Sequence, residues 1–273
     1  MNWQLNEFLK SALAEDLGRG DITSEVLIPE NLKAKAVFLF KEEGVVCGLP
    51  QVQALFRLLA ADEFQSIREE GQLVPAGTAV AKISGSARCL LAGERVALNL
   101  LQHVSGIATR TRRLAALLTP YKAKLTDTRK TTPLLRSLEK YAVRVGGGKN
   151  HRFGLDDAVL IKDNHLTLVD VKTAVARARE VIPHTMKIEV ETENAREVLD
   201  ALEAGADIIM LDNMSPGQMA QMVELIAGRA IVEASGGITA QTIVEVAQTG
   251  VDYISVGSLT HSVKAIDISL DFQ

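Results

Sequence analysis

The spacing of apolar residues changes several times along this chain. Over residues 1–21, MNWQLNEFLKSALAEDLGRGD, the residues Trp3, Leu5, Phe8, Leu9, Ala12 and Leu13 share one helical face and predict an amphipathic helix. Residues 33 to about 86 read as short strands: KAKAVFLF, a turn at KEEG, then VVCG. Farther on, GQLVPAGTAVAKISGSA alternates apolar and small residues between glycine and proline punctuation. From about Arg88 to Leu118 the apolar residues return at three- and four-residue intervals, predicting a long helix.

After Tyr121 six short apolar runs follow: KLTDTR, AVLIKD, MKIEVE, DIIMLD, AIVEAS and DYISVG. Amphipathic stretches such as NAREVLDALEAGA and SPGQMAQMVELIAG separate the later runs, and the last four recur about every 22 residues. That repeat fits a strand–helix unit closing an incomplete, TIM-like parallel α/β barrel, with an open doubly wound sheet as the alternative. The tail IDISLDFQ alternates strictly, so residues 266–273 are expected to return to the N-terminal sheet. The expected organisation is an N-terminal α+β sheet domain over 1–104 and an α/β-barrel catalytic domain over 105–265.

Composition narrows the function. A hydrophobic fraction of 47% over 273 residues supports a sizeable core, and a net charge of -4 argues against a general nucleic-acid binder. No apolar run approaches the roughly 20 residues of a membrane helix. Cys47 and Cys89 stand far apart in apolar surroundings, as free thiols in a reducing compartment do. With no basic-then-apolar leader at the N-terminus, the expected location is cytoplasmic.

Barrel enzymes carry their chemistry at the C-terminal ends of the strands. Here those ends hold Thr128, Arg129 and Lys130; Lys162, Asp163 and Asn164; Glu189 and Glu191; Asp212 and Asn213; Glu233 with Ser235, Gly236 and Gly237; and Gly257 with Ser258. The opposite ends look ordinary in sequence. EASGGIT and YISVGS end the last two strands, and glycine there lets backbone N–H groups approach a phosphate. Glu191 and Asp212 suit Mg²⁺ or ribose hydroxyls, or merely neutralise Lys162 and Lys130.

Positive charge is concentrated between Asp127 and Arg152, which hold four arginines, three lysines and His151 against two acids. Arg136, Lys140 and Arg144 are four apart on a predicted helix and read as a solvated face. Arg129, Lys130, His151 and Arg152 sit at a strand end or after a triple glycine, where an anionic ligand is the better reading. The histidines show no zinc-like spacing.

DTRKTTP, GGGKNHR, LIKDNH, EVE, IIMLDNMSP, EASGGIT and YISVGSLTHS, in this order, closely resemble the quinolinate phosphoribosyltransferase family. EDLGRGDITS and ERVALNLLQHVSGIAT extend the resemblance to nearly the whole chain. It implies transfer of a phosphoribosyl group from phosphoribosyl pyrophosphate (PRPP) to quinolinate with Mg²⁺ and loss of CO₂. By resemblance, Arg129, His151, Arg152 and Lys162 line the dicarboxylate pocket, alongside Thr128, and Lys130 faces the pyrophosphate. Glu191 and Asp212 look like the residues that meet the ribose hydroxyls and the metal, directly or through substrate or water. Ser235, Gly236 and Gly237, with Val256, Gly257 and Ser258, would hold the 5′-phosphate. The family also implies a homodimer in which Arg95 is donated across the interface. Leu134 departs from the family pattern, which has glycine after the proline, and Lys149 replaces an uncharged residue. The nearest rival is a relative with the same barrel and another acceptor. A barrel isomerase acting on a sugar phosphate would explain the glycines but not the cations.

Overall fold

The computed structural model describes residues 3–273, with side chains described from Leu5 onward. The first elements are helix α1 (Trp3–Leu17), helix α2 (Ile22–Leu27), strand β1 (Lys33–Phe40), strand β2 (Gly44–Val45) and helix α3 (Leu49–Leu58). Strands β3 (Glu63–Ser66), β4 (Leu73–Val74) and β5 (Thr78–Ser86) follow, then the long helix α4 (Ala87–Leu117). The α1 face forms as expected, with Leu9 and Leu13 buried and Leu5, Phe8 and Ala12 packed beside them. The side chain of Trp3, assigned to the same face from sequence, lies outside the described residues.

Helix α3 interrupts the stretch read as short strands alone. Leu49, Val52, Leu55 and Phe56 recur at helical spacing and are buried. Gly48, at φ 106°, turns the chain into the helix, and Pro50 occupies its first turn, where no N–H is needed.

The second half alternates strands and helices: β6 (Lys124–Thr126), α5 (Arg136–Val145), β7 (Val159–Ile161), α6 (Asp163–Leu166), α7 (Val171–Val181), β8 (Ile188–Thr192), α8 (Ala195–Ala204), β9 (Ile208–Asp212), α9 (Pro216–Ile226), β10 (Ile231–Ser235), α10 (Ile243–Gln248), β11 (Tyr253–Ser255) and α11 (Ser258–His261). Strand β12 (Ile268–Phe272) ends the chain. The side chains of Asn194 and Ser215 cap α8 and α9, accepting from the N–H groups of Glu197 and Gln218.

Packing divides the chain into two compact units, residues 1–110 with 263–273 and residues 111–262. The first is built on an antiparallel sheet of order β12-β1-β5-β3, whose core includes Phe38, Phe40 and Phe56. The tail strand pairs with β1, Leu270 opposite Phe38. The second unit holds six parallel strands in the order β6-β11-β10-β9-β8-β7. This is the cyclic order of a barrel with one seam, between β6 and β7. Across the seam runs residues 127–158, tied to β6 by a parallel bridge between Thr126 and Lys149. The barrel is therefore open.

The opposite rim of this sheet is less plain than its sequence suggested. Asp207 and Asp252 accept from the N–H groups of Ile188 and Val232, binding each strand's start to its neighbour's. Arg179 and Lys122 pair with these two carboxylates.

Candidate functional site

Thr128, Arg129, Lys130, His151, Arg152, Lys162, Glu191, Asp212 and Ser235 line one cavity of about 370 Å³ at the C-terminal ends of the parallel strands. Glu233, Ser255 and the apolar Leu160 and Met210 complete its wall. Seven separate stretches of sequence thus meet in one place: six are strand ends, which a parallel sheet directs to one rim, and the seventh carries His151 and Arg152.

Asp127 explains how the basic segment is held there. Its fully buried carboxylate accepts from the Lys140 ammonium at 2.5 Å, the His151 N–H at 2.8 Å and the Asn150 amide at 2.5 Å. Lys140 also donates to the carbonyl of His151. Burial pushes the Asp127 carboxyl up and the Lys140 ammonium down from their ordinary values, and each is held charged by the other. Lys140 is therefore not part of a solvated helix face, as its four-residue spacing suggested. It is buried on the inner side of α5 and ties the end of β6 to the segment entering the pocket.

Arg136 departs from the same expectation. Its guanidinium donates to the Thr131 hydroxyl and to the carbonyls of Arg129 and Phe153, fixing the backbone of the Arg129 turn. Only Arg144 of the three faces outward, donating to Asn150. Glu139 is also buried, and its side-chain carboxylate accepts from the backbone N–H of Thr132.

Within the cavity, Arg152 donates to the carbonyl of Ala158, while the Nε atoms of Arg129 and Arg152 are buried without a hydrogen bond. Burial and the nearby Arg129 guanidinium lower the Arg152 pKa. Two guanidinium groups brought this close, with donors unused, suit a ligand carrying more than one negative charge. Lys162 pairs with Glu191, and Asn213 donates to Asp212 at 2.6 Å.

Below them, His151 reaches Glu189 at 3.1 Å and Glu233 at 3.6 Å through Nε2. Both glutamates are buried, and one ligand atom from each of the three residues lies within 4.8 Å of the others, a spacing that suits a metal ion. This cluster was not visible from histidine spacing, because its members come from three segments. The signal for half of it is the EVE triplet, which sends Glu189 and Glu191 to the same face of β8.

The glycine-bearing strand ends border the cavity without lining it. Gly236 and Gly237 have φ of 94° and 60°, and a Cβ on Gly236 would collide with Asn213. A Cβ on Gly257 would crowd Lys130, and the Thr260 hydroxyl donates to the Lys130 carbonyl. Val256 donates its N–H to Thr126, and Ser258 opens α11. Arg95 is exposed on α4 and is not among the cavity's residues.

Comparison with known proteins gives the family. The family model for the C-terminal domain of quinolinate phosphoribosyl transferase matches residues 107–271, and that for its N-terminal domain matches residues 21–105. The chain belongs to the quinolinate phosphoribosyl transferase family. It is 46% identical to a protein of Methanocaldococcus jannaschii named probable nicotinate-nucleotide pyrophosphorylase (carboxylating), covering 97% of this chain and 96% of the relative. A Bacillus subtilis protein of the same name is 45% identical, covering 98% and 93%. The crystal structure of NadC from Streptococcus pyogenes superposes with a TM-score of 0.96 at 45% identity, over 100% of this chain and 98% of that one. The N-terminal antiparallel sheet and the C-terminal parallel α/β unit are those of this phosphoribosyl transferase family.

The two departures from the family's sequence pattern behave differently. Lys149 is exposed, and only its backbone takes part in the bridge to β6. Leu134 has φ of 68°, in the left-handed region where glycine is unstrained, and its side chain is 90% exposed. Glycine is thus the residue this turn's backbone favours, and leucine is tolerated because its side chain meets no obstacle.

Proposed function

We propose that the chain transfers the phosphoribosyl group of PRPP to quinolinate with decarboxylation, releasing nicotinate mononucleotide, pyrophosphate and CO₂ in de novo NAD biosynthesis. The observation that carries this reading is a single cavity where Arg129, Lys130, Arg152 and Lys162 face Glu191 and Asp212. Two polyanionic substrates need the cations, and an electron-poor sugar carbon needs the carboxylates.

Arg129 and Arg152 bind the pyridine dicarboxylate through planar forks, with Lys162 adding a point charge and Thr128 a hydroxyl. His151 lies behind them. Lys130, at the open end, stabilises the departing pyrophosphate. As that group leaves, positive character develops on the ribose carbon, and the charges of Glu191 and Asp212 favour it. The pyridine nitrogen then attacks. Its positive charge in the adduct draws electrons from the adjacent carboxylate bond, CO₂ departs, and the electron pair left on the ring carbon takes up a proton from water. Ser235, Gly236 and Gly237, with Val256, Gly257 and Ser258, hold the 5′-phosphate through backbone N–H groups.

Magnesium, when bound, lowers the negative charge of the pyrophosphate. The residues fit it as a passenger of the substrate: Lys162 and Asn213 each occupy one oxygen of Glu191 and Asp212. The other oxygens remain for ribose hydroxyls or magnesium-bound water.

The working form is a homodimer, and the exposed Arg95 of one protomer completes the partner's pocket. It works in the cytoplasm, where the free thiols Cys47 and Cys89 are stable. Among the described residues, no helix is long and apolar enough to cross a membrane. Turnover with quinolinate, PRPP and Mg²⁺, followed by CO₂ and pyrophosphate release, tests the reading. Equal release of both is expected, and its absence overturns the proposal.

A further inference from the structure

We propose that Glu189 and Glu233 are positioning residues that act through His151: the imidazole is held neutral with its proton on Nε2, donated to Glu189, and Glu233 keeps a proton. The inference rests on the quinolinate reading for its catalytic consequence, but not for the placement of the protons.

The geometry begins with His151 itself. Its Nδ1 accepts the N–H of Arg152 at 2.8 Å, so that nitrogen carries no proton. Nε2 must then be the N–H end of a neutral ring, donating to Glu189 at 3.1 Å. The same bond rules on the metal-like spacing of the trio. A neutral imidazole that binds a metal through Nε2 carries its proton on Nδ1, where the Arg152 N–H already points. The cluster holds a proton in place of a cation.

Charge accounting gives the second part. Glu189 Oε1 and Glu233 Oε1 are buried without a hydrogen bond, and two ionised carboxylates in that position repel each other. One extra proton relieves this, and it has two candidate seats, Nδ1 of His151 or the carboxyl of Glu233. Placing it on Nδ1 sacrifices the bond to Arg152, so Glu233 takes it. Of the groups facing Glu233, Glu189 from β8 and Asp127 from the end of β6 favour its proton, while His151 from the seam and the Ser255 hydroxyl from β11 oppose it. Burial first, and then the Glu189 charge, raise Glu233 to about 7. Burial pushes the His151 imidazole down, while Glu189 and Glu233 pull it above its ordinary value and Lys140 opposes them. Both directions describe one retained proton, and the Arg152 bond decides its seat.

The consequence falls on Arg152. Its N–H is fixed by His151, whose ring is fixed by Glu189, so the guanidinium is aimed from the core of the sheet. Glu189→Gln removes the charged acceptor and should raise KM for quinolinate about tenfold or more, with KM for PRPP nearly unchanged. Glu233→Gln replaces a neutral acid by a neutral amide of the same shape. It should remove the inflection of the pH–rate profile near 7 and leave the His151 tautomer as in the wild type.

Nitrogen-15 spectra of histidine-labelled wild-type protein at pH 7, with His151 assigned by the loss of its signals in His151→Gln, read the tautomer without turnover. A neutral Nε2–H ring supports the proposal. A doubly protonated or Nδ1–H ring overturns it, as does a folded Glu233→Gln variant that keeps the wild-type inflection near 7. If the wild type has the expected tautomer but no turnover with quinolinate, the functional reading fails and the proton placement stands.

Discussion

The Lys140 ammonium lies 2.5 Å from Asp127, and neither side chain is exposed to solvent. This pair joins the strand end that carries Arg129 to the segment that carries His151 and Arg152. It holds two halves of one pocket that the chain separates by more than twenty residues.

Removing one partner leaves the other charge buried alone. Lys140→Met is expected to lower the unfolding free energy by about 3–5 kcal/mol. Adding Asp127→Asn should recover part of that loss, since the isolated charge is then gone. Urea denaturation of the two single variants and the double variant measures the coupling. Equal stability for wild type and Lys140→Met would contradict the assignment.

Arg129 and Arg136 differ in what they touch. Arg129→Ala should reduce turnover by on the order of a hundredfold or more with little change in melting temperature, because its loss removes a carboxylate fork. Arg136 holds the Arg129 carbonyl and the Thr131 hydroxyl, so Arg136→Ala should act more weakly and mainly through KM for quinolinate. Steady-state kinetics on both variants, beside their melting curves, separates the two.

At Leu134 the expectation is a gain. Leu134→Gly releases a left-handed backbone strain of about 1–2 kcal/mol, less the greater freedom glycine has in the unfolded chain. A net stabilisation of up to about 1 kcal/mol should appear in chemical denaturation, with unchanged turnover. Destabilisation would mean that the exposed leucine side chain is engaged elsewhere.

Stability should respond to pH through Glu233. Its folded value of about 7 exceeds the ordinary 4.5, so the folded chain binds the extra proton between these values. The contribution is fully present below about 4.5 and is lost as pH rises through about 7, on the order of 3 kcal/mol. Glu233→Gln should flatten this fall. Melting temperatures of both proteins from pH 5 to about 8 provide the check.

Gly236→Ala should raise KM for PRPP about tenfold and leave that for quinolinate less affected. The added Cβ meets Asn213 beside the proposed phosphate loop, and φ of 94° is costly for alanine. Kinetics with each substrate varied in turn decide it.

The six parallel strands were legible because each is a short apolar run followed by a polar end, a pattern local in sequence. Thr128, Lys162, Glu191, Asp212 and Ser235 could be placed at one rim by that rule alone, and the cavity brings them together. Helix α3 was overlooked because Gly48 and Pro50, which start it, also punctuate strands. Lys140 was misread for a different reason. Periodicity shows which residues share a face, but not that the face carrying this lysine packs against Asp127. The Asp207 and Asp252 links escaped because each joins a side chain to the N–H of another strand, about twenty residues away.

The seam between β6 and β7 separates two kinds of variability. Residues 127–158 hold their shape through side-chain bonds at Asp127, Arg136 and Lys140, with a single bridge to the neighbouring ladder. Substitutions there can alter the shape and charge of the acceptor's seat without disturbing the pairing from β7 through β11. The donor's sugar and phosphate are assigned to those paired strands and their loops. An open barrel therefore offers a modular route to new acceptors: apart from Lys130, the insertion can drift while the paired strands stay in register.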